Sequence, residues 1–258
     1  MSQDATHPPL LERLLPIARA AGDRILEVYA TDFAVAEKQD ESPVTAADER
    51  SEALIVPALA ELASDIPVVA EEAVAAGRVP KVGARFWLVD PLDGTREFIK
   101  RNGEFTVNIA LVENGAPTLG VVFAPALQRL YAGSREGGAF IEDAAGRRRI
   151  ACRPVPPEGL TVVASRSHGD VEALERYLAG RKVAARTNAG SSLKFCLIAA
   201  GEADLYARFG RTMEWDTAAG HAVLAAAGGR VTTLDGADLG YGKPGFENPH
   251  FIARGRVD

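Results

Sequence analysis

The 258-residue chain holds only two cysteines, Cys152 and Cys196, far apart and outside any CxxC or Cys/His pattern. A disulfide framework and a zinc site are therefore not expected, and a reducing cytoplasm fits. No run approaches the ~20 apolar residues that a membrane span needs. The first residues, with Asp4, His7 and Pro8-Pro9, do not read as a basic segment followed by an apolar core. Basic charge is short too: 29 Lys and Arg against 35 Asp and Glu leave a net charge of −6, which argues against general nucleic-acid binding. The run Arg147-Arg148-Arg149 is too short to change that and reads as a solvated hairpin edge. What is present is 47% hydrophobic and 25% charged content, enough to bury a substantial core.

The most informative stretch is Phe86-Trp87-Leu88-Val89-Asp90-Pro91-Leu92-Asp93-Gly94-Thr95. Four apolar residues predict a strand buried on both faces, which Pro91 is expected to stop. Asp90 and Asp93 flank the bend that follows. Carboxylates this close repel unless cations lie between them, and hard oxygen ligands suit Mg²⁺. Gly94 allows close backbone approach, and Thr95 is expected to cap a following helix whose free N–H groups attract phosphate. The alternative is an Asx-type turn with Asp93-Gly94 at its corner.

Further acids recur at element ends. Pro67-Val68-Val69-Ala70 predicts a short strand running into Glu71-Glu72, read alone as a solvated loop pair. Asp48 follows Val44-Thr45-Ala46-Ala47 near the start of a helical pattern, where capping is the simple role. Asp216 stands in the first turn of a helix of small residues that continues to about Gly228, where the helix dipole favours an acid.

Leu11, Leu14, Ala18, Ala21, Ile25 and Val28 mark a first helix with one apolar stripe. Pro57 predicts a kink in the Asp48 helix. Residues 105–112 and 119–123 flank Asn114-Gly115 as a β-hairpin, extended by 130–132 and 139–141 into an antiparallel sheet. Arg153-Pro154-Val155-Pro156-Pro157 predicts a linker between a lobe of about residues 1–152 and a smaller α/β lobe of about 158–258. In the second lobe, strands near 160–164 and 182–187 alternate with helices at 170–179 and 191–200.

Together the acid pair, Asp90-Pro91-Leu92-Asp93-Gly94-Thr95 and the later Trp215-Asp216 before small residues resemble the signatures of the inositol monophosphatase superfamily. The likeness runs from about Leu11 to Ile252. The stretches Phe98 to Leu111 and Gly190 to Cys196 are most similar to the bacterial 3′(2′),5′-bisphosphate nucleotidases of the CysQ type. The resemblance implies an α/β (α+β) protein with the layered αβαβα sugar-phosphatase fold and a site between the lobes. It also implies a phosphoric monoester hydrolase using two or three Mg²⁺ and inhibited by lithium.

Position by position, the resemblance makes Glu71, Asp90, Asp93, Asp216 and the Leu92 carbonyl metal ligands, with Glu72 outside the ligand set. Asp48 and Thr95 match the pair that orients and deprotonates the attacking water. Glu71, Leu92, Asp93, Gly94, Thr95 and Asp216 also line the substrate, joined by Ser165, His168, Gly190, Lys194 and Arg208. Inositol monophosphatases usually place a glutamate where this chain has Arg208; an arginine cannot accept hydrogen bonds from a polyol but suits a second anionic group. The expected substrate is thus a small nucleotide bisphosphate, adenosine 3′,5′-bisphosphate. Ser165 to His168 could instead form a plain turn, and Lys194 and Arg208 could be solvated charges.

An inositol or sugar phosphatase is the second reading, and a catalytically silent nucleotide-binding protein the third. The resemblance leaves room for a homodimer. Some family members are assigned to the inner membrane, for which the sequence offers no mechanism.

Overall fold

A computed structural model describes residues 9–37, 43–166 and 170–256. Among them, α1 (Leu10–Tyr29), the hairpin β1 (Val35–Glu37) and β2 (Pro43–Thr45), and α2 (Ala46–Leu62) come first. There follow β3 (Val68–Ala70), α3 (Glu71–Ala75), β4 (Arg85–Asp93), α4 (Thr95–Ile99), β5 (Thr106–Glu113) and β6 (Ala116–Ala124). Three more strands, β7 (Arg129–Ser134), β8 (Gly138–Asp143) and β9 (Gly146–Ile150), finish a seven-stranded sheet in the order β3 to β9. The remainder is β10 (Leu160–Ser165), α5 (Val171–Leu178), β11 (Val183–Ala189), α6 (Leu193–Ala199), β12 (Leu205–Arg208), α7 (Glu214–Ala226), β13 (Arg230–Thr233) and β14 (Phe251–Arg254). Its five strands pair in the order β11-β10-β12-β14-β13.

Alternation along β4 explains the layering. Trp87 and Val89 join one buried cluster with Leu14, Ile25, Ile55 and Leu59 of α1 and α2. Phe86 and Leu88, on the other pleat, join a second cluster with Phe195 of α6, Val223 of α7, and Tyr206 and Phe251 of the second sheet. The far face of that sheet, with Val162, Leu205 and Ile252, packs on Leu174, Tyr177 and Leu178 of α5. The order is helices, sheet, helices, sheet, helix, the αβαβα arrangement that the resemblance implied. Residues 151–159, which contain the proline cluster, carry no helix or strand and lead from one sheet to the other.

Two sequence expectations change in detail, and a third is placed. Pro91 does not stop β4, which runs on to Asp93 in the interior of the sheet, between β3 and β5. Instead the pairing Asp90↔Asn108 is followed by Asp93↔Thr106, so Pro91 and Leu92 together face Val107 as a bulge. Proline has no N–H to give a ladder, and a bulge is where that loss costs least. The helix in which Pro57 predicts a kink, α2, continues unbroken through that residue. Pro57 and Ala53 are both exposed, so the carbonyl that loses its helical partner faces water. Glu71-Glu72 is not a loop pair but the half-buried first turn of α3.

Candidate active site

One strand, β4, and the starts of three helices, α2, α3 and α7, deliver acids to one place. Oxygens of Glu71 at the start of α3, Asp90 in β4 and Asp216 in the first turn of α7 lie within 4.8 Å of one another. Asp90 is buried, and the other two are half-buried. An all-carboxylate set of this size could hold a hard cation.

Each acid is aimed by local chemistry. The Leu92 N–H donates to Asp90 Oδ1 at 3.0 Å, so the Asx-type turn forms at Asp90 rather than at Asp93-Gly94. The bulge is further pinned by Ser51, whose hydroxyl donates to the Pro91 carbonyl at 2.8 Å. Asp216 Oδ2 accepts the Met213 N–H at 2.8 Å, which combines the expected helix-start role with membership of the cluster. Glu214, fully buried, accepts the N–H groups of Gly242 and Lys243 and fixes the same first turn of α7. Glu52 of α2 accepts the Glu72 N–H at 2.7 Å and thereby caps α3, the helix that carries Glu71.

Asp93 is set beside this triad. Asn108 Nδ2 donates to its Oδ2 at 3.2 Å and to Ser192 Oγ at 2.9 Å, and the Ser192 hydroxyl donates to the Asp216 carbonyl at 2.7 Å. Burial pushes the Asp93 carboxyl up to about 6, against the Lys194 charge and the hydrogen bonds of Asn108 and Ser192. Asp216 is raised well above the usual carboxylate range by burial and then by the charges of Asp93 and Glu71. Metal-free, the cluster resists full ionisation; a bound cation would relieve both causes.

Asp48 and Thr95 meet at hydrogen-bond distance. Thr95 Oγ1 lies 3.2 Å from Asp48 Oδ1 and 3.4 Å from the Leu92 carbonyl oxygen. Asp48 Oδ2 accepts both the N–H and the hydroxyl of Thr45 at 2.8 Å, closing a capping box at the start of α2. The capping and the catalytic readings of Asp48 thus use different oxygens. Thr95 is not itself a cap: Gly94, with φ of 92°, occupies the cap position of α4.

On the second sheet's side, Lys194 is buried rather than a solvated charge. Its ammonium donates to the carbonyls of Ala189 and Ser191 and lies 5.3 Å from the Tyr206 ring centroid. Burial pulls it down to about 8, with Asp93 the main opposing charge. Gly190 donates its N–H to Glu104 Oε2 at 2.8 Å. Arg208 is part-buried, its Nε donating to the Gly210 carbonyl at 3.2 Å and its Nη2 to the Arg211 carbonyl at 2.8 Å. Ser165 ends β10, half-buried. His168 lies outside the described residues. Among those described, Asn108, Ser192, Glu52 and Glu104 carry contacts that the sequence did not assign; Glu104, Asn108 and Ser192 could have been flagged only by standing within the stretches that carry the resemblance.

No helix of the described residues is long and apolar enough to cross a membrane. The inner-membrane expectation finds no support.

Comparison with known proteins is consistent across nearly the whole chain. Residues 9–255 match the model of the inositol monophosphatase family. The 3′(2′),5′-bisphosphate nucleotidase CysQ of Salmonella typhimurium is 51% identical over 245 residues, covering 94% of this chain and 98% of that protein. A crystal structure of CysQ from Bacteroides thetaiotaomicron superposes with a TM-score of 0.81 at 38% identity, over 96% of this chain and 97% of that one. An inositol monophosphatase from Anabaena gives 0.76 at 26% identity, over 95% and 90%. With its layered sheets and its carboxylates at the bulge, the chain belongs to the inositol monophosphatase family.

Proposed function

We propose that this protein is a Mg²⁺-dependent 3′(2′),5′-bisphosphate nucleotidase that converts adenosine 3′,5′-bisphosphate and water to AMP and phosphate. The observation that carries the reading is the meeting of Glu71, Asp90 and Asp216 within 4.8 Å, beside Asp93 and the buried Lys194. The likeness to nucleotidases at 51% identity, against 26% for an inositol monophosphatase, supports this substrate class.

Carboxylates and one carbonyl fit Mg²⁺. Glu71, Asp90, Asp93, Asp216 and the Leu92 carbonyl would hold two or three ions. When bound, such ions lower the pKa of water and offset the charge of the phosphoryl oxygens and the leaving group. Thr95 and Asp48 orient the attacking water: the hydroxyl takes up a water proton as it yields its own toward Asp48 Oδ1. A threonine hydroxyl alone is far too weak an acid and base for this, which is why the carboxylate must stand behind it. Asp48 is held for the task, since its other oxygen already accepts two bonds from Thr45. The water oxygen bonds to phosphorus while the bond from phosphorus to the ribose 3′-oxygen breaks and that oxygen takes a proton from solvent, with no phosphoenzyme. Gly94 and Thr95 N–H groups face the phosphate. Ser165, Gly190, Lys194 and Arg208 line the nucleotide and its second phosphate.

On this reading the lobes of about residues 1–152 and 158–258 act as one unit, and the resemblance makes a homodimer the assembly to test. The cytoplasm is the compartment we propose, and Cys152 and Cys196 are both free and buried.

Phosphate release with Mg²⁺ from adenosine 3′,5′-bisphosphate, inositol 1-phosphate and fructose 1,6-bisphosphate, with Asp93→Asn as the contamination control, tests the reading. Preference for the nucleotide supports it. Preference for inositol 1-phosphate or fructose 1,6-bisphosphate would move the assignment to the second reading. Inhibition by millimolar lithium is expected in the same assay.

A further inference from the structure

Glu104 stands just before β5, its N–H donating to Asn102 Oδ1 at 2.9 Å. Its carboxylate accepts three N–H groups from the other side of the site. The Gly190 N–H and Arg166 Nε reach Oε2, and Arg166 Nη2 reaches Oε1, all at 2.8 Å. Arg166 also donates to the Asn188 carbonyl at 3.2 Å. One acid thus ties the end of β10 to the turn after β11.

The backbone makes the same junction. A Cβ on Gly190 would lie 2.5 Å from the Glu104 carbonyl oxygen, and one on Gly94 would lie 3.3 Å from that oxygen and from Ser191 Cβ. Glu104 is therefore wedged between the turn before α4 and the turn that leads to Lys194. Within that turn Ser191 holds φ of 45°, a conformation that persists in a non-glycine residue only when its surroundings fix it.

As a contribution to stability, the pair would be minor. Arg166 is 43% exposed and Glu104 21%, and exposed ion pairs contribute about 0–1 kcal/mol. Its geometry is better suited to holding position: a bidentate arginine fork fixes orientation as well as distance. Burial pushes the Glu104 carboxyl up, yet the hydrogen bonds and charges of Arg166, the Gly190 N–H and the Lys194 charge outweigh it and hold the group below its ordinary value.

We propose that Glu104 and Arg166 form a positioning latch that sets the nucleotide side of the pocket, and so the preference for a nucleotide bisphosphate over a small phosphate monoester. The inference rests on the nucleotidase reading above. The carboxylates Glu71, Asp90 and Asp216 lie outside the latch, so its loss falls on the nucleotide more than on the reacting phosphate.

Steady-state kinetics with adenosine 3′,5′-bisphosphate and p-nitrophenyl phosphate, on wild type, Glu104→Ala, Arg166→Ala and the double variant, test it, with thermal melts as a folding control. Each single variant is expected to raise the nucleotide KM about tenfold or more with kcat within a few-fold, the pattern of lost binding shared by ground and transition states. The fall in kcat/KM should be at least about tenfold larger for the nucleotide than for p-nitrophenyl phosphate, and the double variant no worse than either single one. Glu104→Gln, which keeps an acceptor for the Gly190 N–H, should recover part of the loss. If the alanine variants do not fold, Glu104→Gln and Arg166→Lys carry the same comparison. Proportional losses on both substrates, or unchanged KM, in a wild type that prefers the nucleotide overturn the latch alone. A wild type without nucleotide preference overturns the function reading and the latch with it.

Discussion

Thr95 Oγ1 lies 3.2 Å from one oxygen of Asp48 while the other oxygen of the same carboxylate is taken by Thr45, so one acid serves a helix cap and the site at once. The two services can be separated. Thr95→Ala removes the hydroxyl and leaves the Asp48 capping box intact. Activity should fall by about 10²-fold or more, the range of general acid–base contributions, with an unchanged melt. Thr95→Ser should keep most of the turnover. Equal activity in wild type and Thr95→Ala would remove the hydroxyl from the mechanism.

The acid cluster works against the metal-free protein. Asp216 is raised well above the carboxylate range, so the folded chain retains a proton that the unfolded chain has released; this stabilisation is whole at low pH and is lost as pH rises through the folded value. In EDTA at neutral pH, Asp216→Asn should therefore melt higher than wild type, by about 2–4 °C per kcal/mol of repulsion relieved. The rise in Tm that Mg²⁺ gives wild type should shrink or vanish in the variant. A variant that melts lower than wild type in EDTA would show that the capping bond to Met213 outweighs the repulsion.

His221 contributes a separate acid sensitivity. Buried in α7 and hydrogen-bonded through Nδ1 to Tyr241 Oη at 3.0 Å, it is pulled by burial from 6.5 down to about 4, with Asp238 the opposing charge. Between those values the unfolded chain binds a proton that the folded chain refuses. Stability is thus whole above about pH 6.5 and falls as pH drops toward 4, by about 3 kcal/mol at the limit. Urea titrations at stepped pH should show this slope in wild type and a shallower one in His221→Gln. Identical slopes would assign the acid sensitivity elsewhere.

Legibility in the sequence followed how locally the information is stored. The α1 stripe, the Asn114-Gly115 hairpin and the Asp90 to Thr95 run each carry their signal within a few residues. The strands β12, β13 and β14 do not: each has four residues, and β14 has meaning only between two partners, β12 and β13. Pro91 misled because a proline in a central strand reads as a stop, whereas two residues opposite Val107 absorb it. Glu104 and Asn108 were invisible as contacts because their partners, Gly190 and Ser192, stand on the other sheet's side.

That separation has a kinetic consequence. Glu71, Asp90 and Asp216 cannot meet until α7 has docked between the two sheets, which requires closing the long stretch of chain between β4 and α7. The carboxylate repulsion therefore opposes the docking of α7. Cations present during refolding would act on that step rather than on early collapse, accelerating assembly where they assist it and slowing dissociation of the docked layers where they arrive afterwards.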